Sequence, residues 1–231
     1  MVMARLARTV LPDIPHHVTQ RGNGRAQTFF CDEDYALYRS LLSDHCREAK
    51  VAIWAWCLMP NHTHLILVPS DQDGLRRALS KVHRQYAGHI HAREKRTGHF
   101  WQGRFGCVAM DEAHLAAAIP YVVLNPVRAK LVERAQDWQW SSVHVHLDPA
   151  KGDGVTEADA VAERFPDIAE RIKAGEEADK WTAIRKAETV GRPLGDDDFM
   201  AAAEQQTGRK LKPGKRGRKK NALVEKSALS P

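Results

Sequence analysis

The chain has 231 residues, 43% of them hydrophobic, which is enough apolar side chain for a packed core and argues against wholesale disorder. No run approaches the ~18 apolar residues of a membrane span, and the amino-terminal MVMARLARTVLPDIP lacks the continuous apolar stretch of a secretory signal. The net charge of +6 conceals three unlike segments: residues 1–146 carry 18 Lys and Arg against 13 Asp and Glu, residues 147–207 carry 8 against 15, and residues 208–231 carry 9 against 1. All twelve histidines and all four cysteines precede residue 147. The cysteines (Cys31, Cys46, Cys57, Cys107) form no C-x-x-C pair, so they read as free thiols of a reducing cytoplasm. The expected organisation is a His-rich body over residues 10–146, an acidic helical extension over 147–207, and a basic, disordered tail over 208–231 of the kind that meets polyanions.

In chain order, HHVTQRG (16–22) predicts a strand closed by a glycine turn. The stretch 32–49 predicts a helix, with Asp32 at its N-cap and Tyr35, Tyr38, Leu42 and Cys46 at helical spacing. VAIWAWCLM and HTHLILVP predict two strands reversed at Pro60-Asn61, and strict alternation along the first puts Trp54 and Trp56 on one face. A long amphipathic helix follows over 73–95, with Leu75, Leu79, Val82, Tyr86 and Ile90 on its apolar side. FGCVAM (105–110) predicts a fourth strand, and 111–133 a helical segment broken by Pro120 and Pro126. Strands not strictly alternated with helices predict an α+β fold, a ferredoxin-like antiparallel sheet with helices packed on one face. Further acidic helices are predicted over 157–188 and 196–208.

His62 and His64 stand one residue apart at the start of the third strand, so both imidazoles project from the same face. That is a two-point chelate needing a third ligand. The bland alternative is an inert, hydrogen-bonded pair at a sheet edge.

Five stretches in order, HHVTQRGN, WCLMPNHTHLILVP, GHFWQGRF, YVVLNPVRAKLV and WQWSS, resemble the single-tyrosine HUH transposases, and among them the REP-associated tyrosine transposases. The resemblance covers about residues 10–146; a weaker echo, GRPLGDDDF followed by GRKLKPGKRGRKK, is similar to a carboxy-terminal extension of some members. It implies a ferredoxin-like HUH domain with Tyr121 as nucleophile, and with His62, His64 and Asn125 holding Mg²⁺ or Mn²⁺. The implied reaction is cleavage and rejoining of single-stranded or hairpin DNA through a 5′-phosphotyrosine link. It also implies DNA transposition or repeat mobilisation, in the cytoplasm at the nucleoid. Oligomeric state, monomer or homodimer, stays open.

The other tyrosines, Tyr35, Tyr38 and Tyr86, lie on apolar helix stripes and read as core. Asn125 follows Tyr121 by four residues and shares its face if the segment is helical; otherwise it is a turn residue ahead of Pro126. Pro120 departs from the family pattern. It predicts a helix restarting there, with Tyr121 near the new N-terminus where a phenolate and a phosphate are favoured.

Arg21, Arg104 and Arg128, together with Lys215, Arg216 and Arg218 of the tail, are candidates for DNA phosphates. Trp101, beside Phe100 and Phe105, either stacks on unpaired bases or belongs to a hydrophobic plug. Trp138 and Trp140 read as structural. No G-x-x-x-x-G-K-[ST] loop is present, so no nucleotide cofactor is expected. Three rivals stand beside the transposase reading: a hairpin-binding derivative that has lost catalysis, a metal-dependent hydrolase with a water nucleophile, and an RNA-binding sheet.

Overall fold

A computed structural model describes residues 8–175 and 178–212. Lys215, Arg216 and Arg218, and the disorder expected of the tail beyond residue 212, lie outside the described residues.

Four strands, β1 (His16–Arg21), β2 (Val51–Met59), β3 (His62–Pro69) and β4 (Gly106–Ala109), form one sheet in the order β2-β3-β1-β4. Every neighbouring pair is antiparallel. Helices α1 (Asp32–Glu48) and α2 (Gly74–Glu94) follow β1 and β3 and pack side by side on one face. The predicted stripes are buried there: Tyr35, Tyr38, Leu42 and Cys46 from α1, and Leu75, Leu79, Val82, Tyr86 and Ile90 from α2, against Val18, Leu65 and Leu67 of the sheet. Three acidic residues in the first turn of α1 complement its dipole, although Cys31 rather than Asp32 holds the N-cap position.

The opposite face of the sheet is covered as well. Helix α3 (Glu112–Val123) lies across it, followed by α4 (Asn125–Arg128), α5 (Val143–Leu147), α6 (Ala158–Arg164), α7 (Ile168–Ala174) and α8 (Ala178–Val190). Val161, Ile168, Ile172, Trp181, Ile184 and Ala187 of the acidic segment share one hydrophobic cluster with Cys57, Met59, Ile66 and α3. Most of the acidic residues thus lie on the outer sides of helices whose inner sides complete the core, with Glu188 an exception that points inward. The last helix among the described residues, α9 (Asp197–Thr207), packs Met200 and Ala203 against Leu11 and Ala109.

Two local expectations are corrected. Trp54 and Trp56 do not share a face: a bulge between Ile53 and Ala55 inserts one residue against β3, which puts Trp54 in the cluster with α3 and Trp56 in the cluster with α1 and α2. Helix α3 also does not restart at Pro120 but runs through it, so Tyr121 sits near the carboxy-terminal end, not at an N-terminus. The missing proline N–H removes one bond of the ladder. That loss falls in the last turns of a helix whose residues from Leu115 to Val123 are all buried, so packing rather than an unbroken ladder holds it.

Candidate metal and nucleophile site

The register of β1 against β3 places His17 opposite Ile66, Thr19 opposite His64, and Arg21 opposite His62. Partners across an antiparallel ladder share a face. His17, His62, His64 and Arg21 therefore all project toward α3 and α8.

His17 Nε2 and His64 Nδ1 lie 2.9 Å apart, with the two rings stacked at 5.2 Å between centroids. Glu188, near the end of α8, brings Oε1 to 3.7 Å from His17 Nδ1 and 3.9 Å from His64 Nδ1. One ligand atom from each of the three residues lies within 4.8 Å of the other two. The Tyr121 hydroxyl donates to Glu188 Oε1 at 2.9 Å, and its ring meets those of His17 and His64 edge-on at 5.7 Å each. Trp181 closes the other side of the phenol at 5.6 Å, and the Arg128 guanidinium lies over its ring with Cζ 4.3 Å from the centroid.

Burial sets the protonation of this group. It lowers the His17 pKa to about 3, with the Arg128 charge adding to the effect, and the His62 pKa to about 4, with Arg21 and Arg128 adding. His64 falls well below its ordinary value for the same reason, helped by its two histidine neighbours. All three imidazoles are thus neutral at physiological pH and carry lone pairs. Burial raises the Tyr121 phenol to about 12; the Glu188 carboxylate adds to this and Arg128 opposes it. Burial likewise raises Glu188, against the pull of the Tyr121 hydrogen bond and of Arg21 and Arg128.

Two neutral imidazoles and one carboxylate form a donor set suited to a first-row divalent cation. His17 Nδ1 is buried with no hydrogen-bond partner, a lone pair or proton awaiting one. The residues present therefore fit a metal ion.

The structure brings together part of the predicted set and adds to it. His64 lies in the three-residue group; His62 lies beside it, at 4.8 Å between ring centroids, with Nδ1 held 2.6 Å from Asn61 Oδ1. Asn125 begins α4, one turn beyond Tyr121, and its amide nitrogen donates to the Tyr121 carbonyl at 3.0 Å. His17 and Glu188 were not anticipated. His17 had a readable signal, since His17, Thr19 and Arg21 alternate onto one face of a strand already singled out. Glu188 had none, because it lies in an acidic segment outside the five motifs of the resemblance.

Of the candidates for DNA, Arg21 and Arg104 line an open groove of about 690 Å³ together with Arg8, Gln20, His62 and Glu188. Arg128 stands over Tyr121 instead. Trp101 is half-buried: its indole N–H donates to the His83 carbonyl at 2.9 Å, and its ring meets Phe100, Tyr86 and Tyr38. Trp138 and Trp140 are likewise engaged, donating to the Leu58 carbonyl and to Asp32. No helix among the described residues is long and apolar enough to cross a membrane.

Residues 12–125 match the family model described as "Transposase IS200 like". A Haemophilus influenzae protein named for the REP-associated tyrosine transposases is 26% identical over 118 residues, spanning 46% of this chain and 67% of the relative. The REP-associated tyrosine transposase of Escherichia coli K12 is 28% identical over 123 residues, spanning 51% of this chain and 68% of the relative. Among solved structures, a REP-associated tyrosine transposase bound to a REP hairpin superposes with a TM-score of 0.55 at 22% identity, over 66% of this chain and 90% of that one. At that identity the likeness is one of fold.

Proposed function

Because residues 12–125 belong to the IS200-like transposase family, we propose that this protein is a metal-dependent transposase that cuts and rejoins single-stranded DNA through Tyr121. The observation that carries this reading is the position of the Tyr121 hydroxyl, which is bonded to Glu188 and edges both His17 and His64. A nucleophile and a metal-competent donor group share one pocket.

The residues to hold a divalent ion are His17, His64 and Glu188, with His62 beside His64 and Asn125 one turn beyond Tyr121. An ion such as Mg²⁺ or Mn²⁺ bound there would polarise a non-bridging oxygen of the scissile phosphate and offset developing charge. Glu188 accepts the hydrogen bond of the phenolic hydroxyl and so fixes the Tyr121 oxygen. As that oxygen bonds to phosphorus, the bond from phosphorus to the 3′ oxygen breaks. The phenolic proton leaves toward Glu188, and the 3′ oxygen takes up a proton to become a free hydroxyl. A 5′-phosphotyrosine link remains, and attack by another 3′-hydroxyl reverses the step. The link conserves the phosphodiester energy, so the reaction needs no nucleotide.

Arg8, Arg21 and Arg104 offer phosphate-binding charge along the groove leading to His62. Hairpin DNA with a single-stranded flank, worked on in the cytoplasm at the nucleoid, is the substrate this reading assigns. Incubation with 3′-labelled hairpin oligonucleotides and Mn²⁺ or Mg²⁺, followed by a denaturing gel, tests it. A covalent adduct is expected from the wild type and not from Tyr121→Phe.

The burial of Tyr121 favours a second reading, a hairpin-binding derivative without catalysis. The phenol is 2% exposed, and its oxygen is already engaged by Glu188. That reading expects hairpin binding, no adduct, and no change with Tyr121→Phe.

A further inference from the structure

The guanidinium of Arg128 is stationed at the nucleophile in a way that simple backbone binding of DNA does not require. Its Cζ lies 4.3 Å from the centroid of the Tyr121 ring and 5.1 Å from that of Trp181, so two aromatic side chains hold it. These ring contacts are made through the charge of the guanidinium, and a hydrogen bond to the Tyr121 side chain spends part of its planar donor set. One nitrogen, Nη1, is buried and has no hydrogen-bond partner. A buried guanidinium nitrogen without an acceptor is costly and calls for an acceptor supplied from outside. The location of the residue supports this. Arg128 ends α4, which is tied to α3 by the Arg128 N–H on the Leu124 carbonyl at 3.1 Å and is stiffened by Pro126. The guanidinium therefore moves with Tyr121 rather than with the groove that carries Arg8, Arg21 and Arg104.

We propose that Arg128 is a catalytic residue whose free Nη1 donor binds a non-bridging oxygen of the phosphate as that phosphate becomes bonded to Tyr121, and holds it through the phosphotyrosine intermediate. The assignment rests on the reading of Tyr121 as nucleophile and adds a donor on the protein side of the phosphorus. No bond of Arg128 is made or broken. Negative charge gathers on the non-bridging oxygens as the phenolic oxygen approaches, and a preplaced planar donor stabilises it without reorganisation. Ground-state binding of the DNA, in contrast, belongs to the groove arginines.

The experiment uses the full chain and a 3′-labelled pool of oligonucleotides, each a hairpin with a randomised single-stranded flank, in Mn²⁺. Single-turnover adduct formation and equilibrium binding are measured for wild type, Arg128→Gln, Arg128→Lys and Tyr121→Phe. The expected result is an adduct rate reduced on the order of 10²-fold in Arg128→Gln, with binding of the pool changed less than about threefold. Arg128→Lys should stay impaired, because it keeps the charge and loses the fork. Millimolar guanidinium should restore part of the rate to Arg128→Gln, which a packing role for the side chain would not permit. Should Arg128→Gln fail to fold, as judged by its melting curve, Arg128→Lys is judged by the same rate and binding criteria. An undiminished adduct rate, or a loss of binding that matches the loss of rate, overturns the assignment. Absence of adduct in the wild type overturns the reading of Tyr121 as nucleophile, and the Arg128 role falls with it.

Discussion

The hydroxyl of Tyr121 donates to Glu188 Oε1 at 2.9 Å, although 67 residues separate the two in sequence. One belongs to the helix that closes the family-matched segment; the other comes from the acidic segment beyond it. Glu188 has three near neighbours at once, the phenol and two imidazoles. Its removal should therefore be felt first in ion binding. Glu188→Ala is expected to weaken Mn²⁺ affinity at least about tenfold, measured by titration calorimetry on the DNA-free protein. Unchanged affinity would remove Glu188 from the donor set.

Three further buried histidines add to the acid sensitivity that the neutral imidazoles of His17, His62 and His64 already confer. Burial lowers the pKa of His16 to about 4, of His83 to about 3, and of His146 to about 4. In the unfolded chain each takes a proton near pH 6.5, whereas the folded chain resists it. Acid therefore favours unfolding: the stability is complete above about pH 6.5 and falls as the pH drops toward the folded values. At pH 5 the loss should be on the order of 1–2 kcal/mol per histidine. Urea midpoints at pH 7.5 and 5.0 measure it, and equal midpoints would contradict it.

Asp34 is fully buried and held by the Arg93 guanidinium and by the Phe30 N–H at 2.8 Å. Burial pushes its carboxyl up, but these partners outweigh burial and leave the pKa below the usual range. Its contribution is therefore present above the ordinary carboxylate pKa and disappears as pH falls through the lower folded value. Asp34→Asn should cost about 1–3 kcal/mol, a range kept low because the Arg93 side chain is one-third exposed. Chemical denaturation at pH 7 checks it, with Asp44→Asn on the exposed face of α1 as the unaffected control.

Trp181 is 1% exposed, packs against Tyr121, and donates its indole N–H to the Ala117 carbonyl at 3.2 Å. Trp181→Ala should cost about 3–5 kcal/mol through the cavity it leaves. Trp181→Phe should retain most of the stability and lose only the N–H bond. Comparison of the two melting temperatures tests whether α8 is anchored by packing volume or by that bond.

Much of the fold could be read because it is local. The stripes of α1 and α2 repeat every three or four residues, and β3 shows its two faces by alternation, so His62 and His64 emerge together. The features that escaped depend on distant partners. The bulge at Trp54 is fixed by pairing with β3, and nothing in VAIWAWCLM marks where the extra residue falls. Pro120 signals a break by its own chemistry, but the burial of α3 on nearly all sides overrides that signal. Glu188 looks like any surface carboxylate of the acidic segment until α8 is laid against the sheet. Its meaning resides in a contact between segments.

The sharing of one hydrophobic cluster by Met59, Ile66 and α3 with Trp181, Ile184 and Ala187 also bears on how the protein is born. Translation delivers His17, His62 and His64 long before Glu188. Until α8 emerges, a nascent chain carries the histidines on a sheet, and Tyr121 on α3, whose cover is unfinished. Glu188 can join the histidines only once α8 has docked on that cluster. A fragment trimmed to the segment that sequence comparison recognises would keep the tyrosine and the histidine pair, yet leave them beside an open apolar wall that invites aggregation.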